Sequence, residues 1–173
     1  MLNYETAPGV PGTSPVRWPA DSQLARPKGL PTLVMFGHPH CPCTRASIGE
    51  LALLMARCQG KLEAKVLFVK AAGQPQDWEK SDIWHSAAAI PGVSVLCDND
   101  GVEARKFRAR TSGQTILYNA EGELLFSGGI TASRGHSGDN VGRNAIVSLL
   151  NGGGAERTTT FVFGCSLFES DSK

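Results

Sequence analysis

Leu33-Val34-Met35-Phe36-Gly37-His38-Pro39-His40-Cys41-Pro42-Cys43-Thr44-Arg45-Ala46 is the stretch on which the fold turns. Its first five residues form a short apolar run suited to a strand buried on both faces. A polar loop with two cysteines follows. Beyond it Ile48, Leu51, Leu54, Met55 and Cys58 recur at spacings of three and four, and Gly60 supplies a stop, which predicts a helix. Cys41 and Cys43 therefore sit where a strand hands over to a helix. Unpaired backbone N–H groups and the helix dipole favour a thiolate there.

Reading outward, Ala64 to Lys70 and Val93 to Cys97 have strand composition, and Asp77 to Ala88 and Val102 to Ala109 have helical patterns. Thr115 to Tyr118 and Glu123 to Phe126 flank Asn119-Ala120-Glu121-Gly122 and read as an antiparallel hairpin. Asn140 to Leu150 offers Val141, Ala145, Ile146, Leu149 and Leu150 as one face of a last helix. The order is βαβαβαββα, an α/β fold with a mixed central sheet and helices on both faces. Thr158 to Phe163 has strand composition, and Cys165, Leu167 and Phe168 are apolar, so the tail is expected to return to the domain. Residues 1–30 lack either period and hold Pro8, Gly9, Pro11, Gly12, Pro15 and Pro19, the composition of an extended tether, leaving 31–173 as the domain.

The chain has 173 residues, 41% of them hydrophobic and 19% charged, enough for one domain with a real core. Seventeen Lys plus Arg against sixteen Asp plus Glu give a net charge of +1 with no basic run, which argues against nucleic acid as a partner. No stretch approaches the roughly 20 apolar residues of a membrane span. Loss of an upstream anchor or signal would leave an opening like this one.

Thiol–disulfide exchange needs one ionised, accessible thiol and a second close enough to resolve the mixed disulfide, and Cys41 and Cys43 supply such a pair. A bridge across the single Pro42 is tight, so it would be strained and comparatively oxidising. His38, His40 and Arg45 are candidates to add positive charge beside the thiolate. Cys58 reads as a core thiol, Cys97 as core or an accessory redox thiol, and Cys165 as either structural or placed beside the loop. Between Gly129 and Gly142, Arg134, His136, Asp139 and Asn140 are candidates to line the site, with Asp139 or Asn140 equally suited to capping the last helix. A rival reading is metal: His38, His40, Cys41, Cys43, His136 and Cys165 include ligands for copper or zinc, assembled over long range. An inert buried pair of cysteines is the bland reading, and cysteine exposure separates it from the others.

The strand, cysteine loop and helix, followed by βαβ and ββα, resemble the thioredoxin fold, and especially the TlpA/ResA-like thiol–disulfide oxidoreductases. In that likeness Cys41 falls on the nucleophilic cysteine, Arg45-Ala46 matches the pair after the second cysteine, and Thr44 takes the second cysteine's position, so the thiol moves back to Cys43. Ser112, Gly113 and Gln114 fall on the loop that borders the substrate, with Gly113 where the family has a cis-proline. The run from His38 to Ser47, together with T-S-G, G-G-I-T, R-G-H and F-G-C, is also similar to bacterial RedB-like proteins, which often carry an N-terminal membrane anchor.

The resemblance implies a thioredoxin-like domain that exchanges disulfides with redox partner proteins through a transient mixed disulfide. Cys41 would attack and Cys43 resolve, with His38, His40, Pro42, Thr44, Arg45, Ser112, Gly113, Gln114, Arg134, His136 and Cys165 lining the site. No organic cofactor is implied, and the family works outside the cytoplasmic membrane, often anchored to it. The alternatives are a copper or zinc chaperone on the same fold and a thiol peroxidase built on Cys41 with Thr44, Arg45 and Arg134.

Overall fold

A computed structural model describes residues 8–131, 141–154 and 158–168. Its elements run β1 (Thr32–Gly37), α1 (Pro42–Arg57), β2 (Glu63–Lys70), α2 (Asp82–Ala88), β3 (Val93–Asn99), α3 (Val102–Lys106), β4 (Thr115–Tyr118), β5 (Leu124–Gly128) and α4 (Val141–Leu150). The sheet order is β3-β2-β1-β4-β5, with β1 central, parallel to β2 and antiparallel to β4. The cysteine loop thus leaves the carboxyl end of the most interior strand, where crossovers of an α/β sheet open a crevice.

Alternation along β1 explains the two layers of core. Leu33 and Met35 face one cluster with Leu51 and Leu54 of α1 and Ile146 of α4. Val34 and Phe36 face another with Phe107, Ile116 and Tyr118. The second face is covered by α3, only five residues long, so irregular chain completes it. Trp18 packs edge-on against Phe107 and Tyr118, at 5.0 and 5.3 Å between ring centres. The Tyr118 hydroxyl donates to the Pro15 carbonyl at 2.9 Å, and Ser22 Oγ donates to the Glu103 carboxylate at 2.7 Å. Described residues of the tract read as a tether therefore lie on the domain. Its proline and glycine content limits regular structure among its described residues to one antiparallel bridge, Arg17 to Glu123, but leaves an aromatic residue free to dock onto a half-covered sheet.

Strand ends differ from the sequence pattern by one or two residues, and three larger differences have a local cause. The second helix begins at Asp82, not Asp77, because Asp77 has a left-handed φ of 60° and Ser81 provides the cap, accepting from the Trp84 N–H. The third stops at Lys106, since Arg108 has φ of 57°. Residues 158–163 make only an isolated parallel bridge, Thr159 to Ser127, in place of a full strand.

Candidate functional site

Cys41 is the N-cap residue of α1, with extended backbone (φ −95°, ψ 127°), and Pro42 begins the helix, where its missing N–H costs nothing. The Cys41 carbonyl accepts from the N–H groups of Thr44 and Arg45 at 3.0 and 3.3 Å. The first turn of α1 contains no acidic residue to oppose a thiolate. Thr44 turns into the body, where its hydroxyl lies 2.6 Å from Ser112 Oγ, and Ser112 Oγ also accepts from the His38 N–H at 3.0 Å. The loop before β4 is thereby tied to both sides of the cysteine loop. Gly113 has φ of 96° and donates its N–H to the Phe36 carbonyl at 2.8 Å. All peptide bonds among the described residues are trans, so the loop takes its shape from that glycine.

The chain's last described segment closes the site. Ser112 N–H donates to the Cys165 carbonyl at 2.8 Å, Leu167 N–H donates to the Arg110 carbonyl at 2.9 Å, and Thr111 and Ser166 form an antiparallel bridge. Gly164 lies so close that a Cβ there would collide with the Ser112 carbonyl oxygen. Leu167 is buried in the second core cluster, and the Arg105 guanidinium sits 4.2 Å from the Phe168 ring centre. This anchoring sets Cys165 Sγ 2.9 Å from Cys41 Sγ. With Cys43, three sulfurs fall within 4.8 Å of one another. The polar neighbours of Cys41 and Cys43 predict exposure, but the two residues are only 4% and 8% exposed, the outcome expected of an inert pair; what speaks against inertness is the third sulfur 2.9 Å from Cys41. The covering comes from a segment more than a hundred residues away in sequence, the tail whose apolar residues predict its return to the domain.

Burial works against a charge on Cys41, but hydrogen bonds from the Cys165 thiol, the Cys43 and Thr44 backbone N–H groups and the Cys43 thiol outweigh it and lower its pKa. Burial raises the thiols of Cys58 and Cys97 instead. Two expected cations do not supply this effect. Burial, followed by the neighbouring His40, lowers the His38 pKa, and His38 Nδ1 accepts the His40 N–H at 3.1 Å, which marks an unprotonated nitrogen. Arg45 holds Asp82 at 2.6 Å on the surface.

Ser112→Ala would leave the Thr44 hydroxyl and the His38 N–H without this partner, at a cost of about 1–3 kcal/mol. Denaturant unfolding checks this, and a loss below roughly 0.5 kcal/mol would mean that the hydroxyl bridge is dispensable.

The other sequence candidates are placed as follows. His40 faces outward, its Nε2 2.8 Å from the Trp78 carbonyl oxygen. Gln114 turns away from the sulfurs: its amide donates to Ser127 Oγ at 3.0 Å. Cys58 is in the core, and Cys97 lies outside the sulfur cluster beside Asn99. Arg134, His136, Asp139 and Asn140 lie outside the described residues. Among the described residues the metal-ligand set is the three cysteines, without His38 or His40. Sequence reasoning missed Trp78, whose ring lies 5.4 Å from that of His38 and 4.7 Å from that of His40. With His38, Val69, Arg105 and Phe168 it lines a groove of about 560 Å³. Its position in a turn, after Pro75 and before a capping serine, was the available signal.

No family model matches the chain, and no curated protein matches it. Solved structures do. An uncharacterized conserved protein from Geobacillus kaustophilus superposes with a TM-score of 0.70 at 19% identity, over 95% of this chain and 100% of that one. A hypothetical protein from Sinorhizobium meliloti gives 0.67 at 20% identity, over 84% and 82%. The pneumococcal exposed lipoprotein thioredoxin Etrx1 from Streptococcus pneumoniae gives 0.51 at 17% identity, over 72% and 86%. At such identities the likeness is one of architecture, and together with the mixed sheet and the cysteine loop at the end of its central strand it makes this chain a protein of the thioredoxin fold.

Proposed function

We propose that the protein is a thiol–disulfide oxidoreductase that exchanges disulfides with partner proteins through Cys41. The observation that carries this reading is a cysteine at a helix N-terminus, its pKa lowered by hydrogen bonds, with two further thiols in reach. Cys41 is only 4% exposed, so the covering segment must move aside before its ionised sulfur attacks a disulfide; a neighbouring thiol then releases the partner, and no cofactor is required. Among the described residues no helix is long and apolar enough to cross a membrane. An extracytoplasmic setting is proposed from the sequence resemblance and from the structural likeness to Etrx1, an exposed lipoprotein.

The test is an intact-mass thiol titration. Metal-free protein is equilibrated in graded reduced and oxidised dithiothreitol, alkylated and mapped. A reversible two-electron transition involving Cys41 is expected. Cysteines that never pair at any poise would sink the reading.

A second reading is favoured by the convergence of Cys165 on the Cys41 and Cys43 pair. Three thiolates suit Cu(I), a soft ion, better than zinc, which asks for a fourth ligand. Tight one-to-one copper binding that blocks alkylation of all three, in protein that forms no disulfide, would make copper handling the working function. The peroxidase alternative has less support, since Asp82 engages Arg45 and Ser112 engages the Thr44 hydroxyl.

The lowered Cys41 pKa has a measurable sign. Its thiolate persists to lower pH than an ordinary cysteine of about 8.5, whereas Cys97 is raised by burial. Alkylation rate against pH should show a midpoint for Cys41 below that for Cys97, and coincident or reversed midpoints would contradict the assignment. Because the folded value is the lower one, ionisation adds stability that is complete above the unfolded pKa and lost as pH falls through the folded pKa.

A further inference from the structure

The geometry points to Cys165, carried by the C-terminal tail, as the thiol that resolves Cys41 and forms the protein's working disulfide. The inference rests on the disulfide-exchange reading above and replaces Cys43 in the resolving role that its position in sequence suggested.

Three observations carry it. The first is distance: Cys41 Sγ and Cys165 Sγ are already 2.9 Å apart, so bond formation at about 2.05 Å asks for little movement. The second is that Cys165 is positioned, not merely near. Its carbonyl is bonded to the Ser112 N–H, the next residue bridges to Thr111, and Leu167 N–H is bonded to the Arg110 carbonyl. Gly164, where a side chain would strike the Ser112 carbonyl oxygen, lets the tail approach this closely. The backbone of the same loop is held to β1 through Gly113 and Phe36, so the two sulfurs are fixed to one rigid frame. The third concerns Cys43. It lies one residue into α1, separated from Cys41 only by Pro42, so a bond between the two sulfurs would close a small, strained ring even though they lie within 4.8 Å of each other. Its thiol contributes a hydrogen bond to Cys41 instead.

The reaction balances with a partner disulfide as oxidant. Cys41 thiolate attacks one sulfur of the partner's disulfide; that bond breaks, and the first partner sulfur leaves as a thiolate. Cys165, having given its proton to water, attacks Cys41 Sγ. The mixed bond breaks, the second partner sulfur leaves, and the Cys41–Cys165 disulfide remains. Two electrons have passed from the pair to the partner, and the two protons lost from Cys41 and Cys165 are balanced by two taken up by the partner's thiolates. Run backward, the same steps oxidise a partner dithiol.

The test uses the full chain and glutathione as the probe. Wild-type protein, Cys43→Ser and Cys165→Ser are equilibrated in graded reduced and oxidised glutathione, quenched, and mapped by mass spectrometry without reduction. Circular dichroism confirms that each is folded, and Cys165→Ala stands in if the serine variant is not. The expected result is a peptide pair joining Cys41 to Cys165 in wild-type protein. Cys43→Ser should keep the reversible two-electron transition. Cys165→Ser should lose it and accumulate Cys41 bound to glutathione, at least tenfold above wild type. A different pairing in wild-type protein, or a transition that survives Cys165→Ser, overturns the inference and leaves disulfide exchange intact. Absence of any protein disulfide across all ratios overturns both.

Discussion

Oxidised protein should resist unfolding by up to about 5 kcal/mol more than reduced protein, the denatured-state entropy removed when residues 124 positions apart are joined. The size of the effect follows from the tail. A Cys41–Cys43 bridge would close a ring around one residue and constrain the unfolded chain hardly at all, whereas Cys41–Cys165 encloses most of the domain. Urea unfolding of the two redox forms reads the difference as a shift in midpoint. The crosslinked chain also exposes less surface when unfolded, so its slope against urea should fall. Cys165→Ser should unfold identically in both conditions. Equal midpoints for oxidised and reduced wild-type protein would mean that the bond forms within the loop or not at all.

The second large effect lies away from the sulfurs, in an ion pair between Glu50 of α1 and Arg143 of α4, both side chains almost wholly buried. Arg143→Met should destabilise the fold by about 3–5 kcal/mol, because it removes a buried cation from a buried carboxylate that cannot regain water. Glu50→Leu with Arg143→Met should recover part of that loss, since both members of the buried pair are then replaced by apolar side chains. The pair clamps the helix that carries Cys41 and Cys43 to the last helix of the chain, so the single variant should also weaken the cooperativity of unfolding. Thermal and urea denaturation test both points. A single variant within 1 kcal/mol of wild type would show that the carboxylate is rescued by other groups.

The local parts of this molecule were legible in its sequence. The unbroken apolar run from Leu33 to Gly37 and the three-and-four spacing from Ile48 to Cys58 are local signals, and the elements they predict are present. The capping chemistry was harder to read, because Asp77 and Ser81 compete to start the second helix and only the backbone at Asp77 decides. What was not legible is contact between distant segments. The apolar Leu167 and Phe168 signal that the tail returns, and Cys165 is among the residues expected beside the loop, but its contact with Cys41 is set by backbone hydrogen bonds to residues 110–112, and a backbone bond leaves no side-chain signature. The same holds for His38. In sequence it reads as a cation beside a thiolate, while burial and the His40 N–H on its ring nitrogen favour the neutral form. Trp18 is the converse case: it lies in a proline-rich tract whose composition reads as extended, yet its large aromatic side chain packs on Phe107 and Tyr118.

The two irregular ends share one edge of the domain. Gly9 N–H donates to the Val162 carbonyl at 2.8 Å, and the Thr111 hydroxyl donates to the Val10 carbonyl at 2.8 Å while Thr111 itself bridges to Ser166. Docking of the segment around Gly9 and docking of the tail therefore order the same groups, and whichever happens first lowers the entropy that the other must lose. That makes them cooperative ligands of a common site, bound by reciprocity: any force or partner that pulls the segment around Gly9 away loosens the Cys165 tail by the same factor by which a freed tail would release that segment.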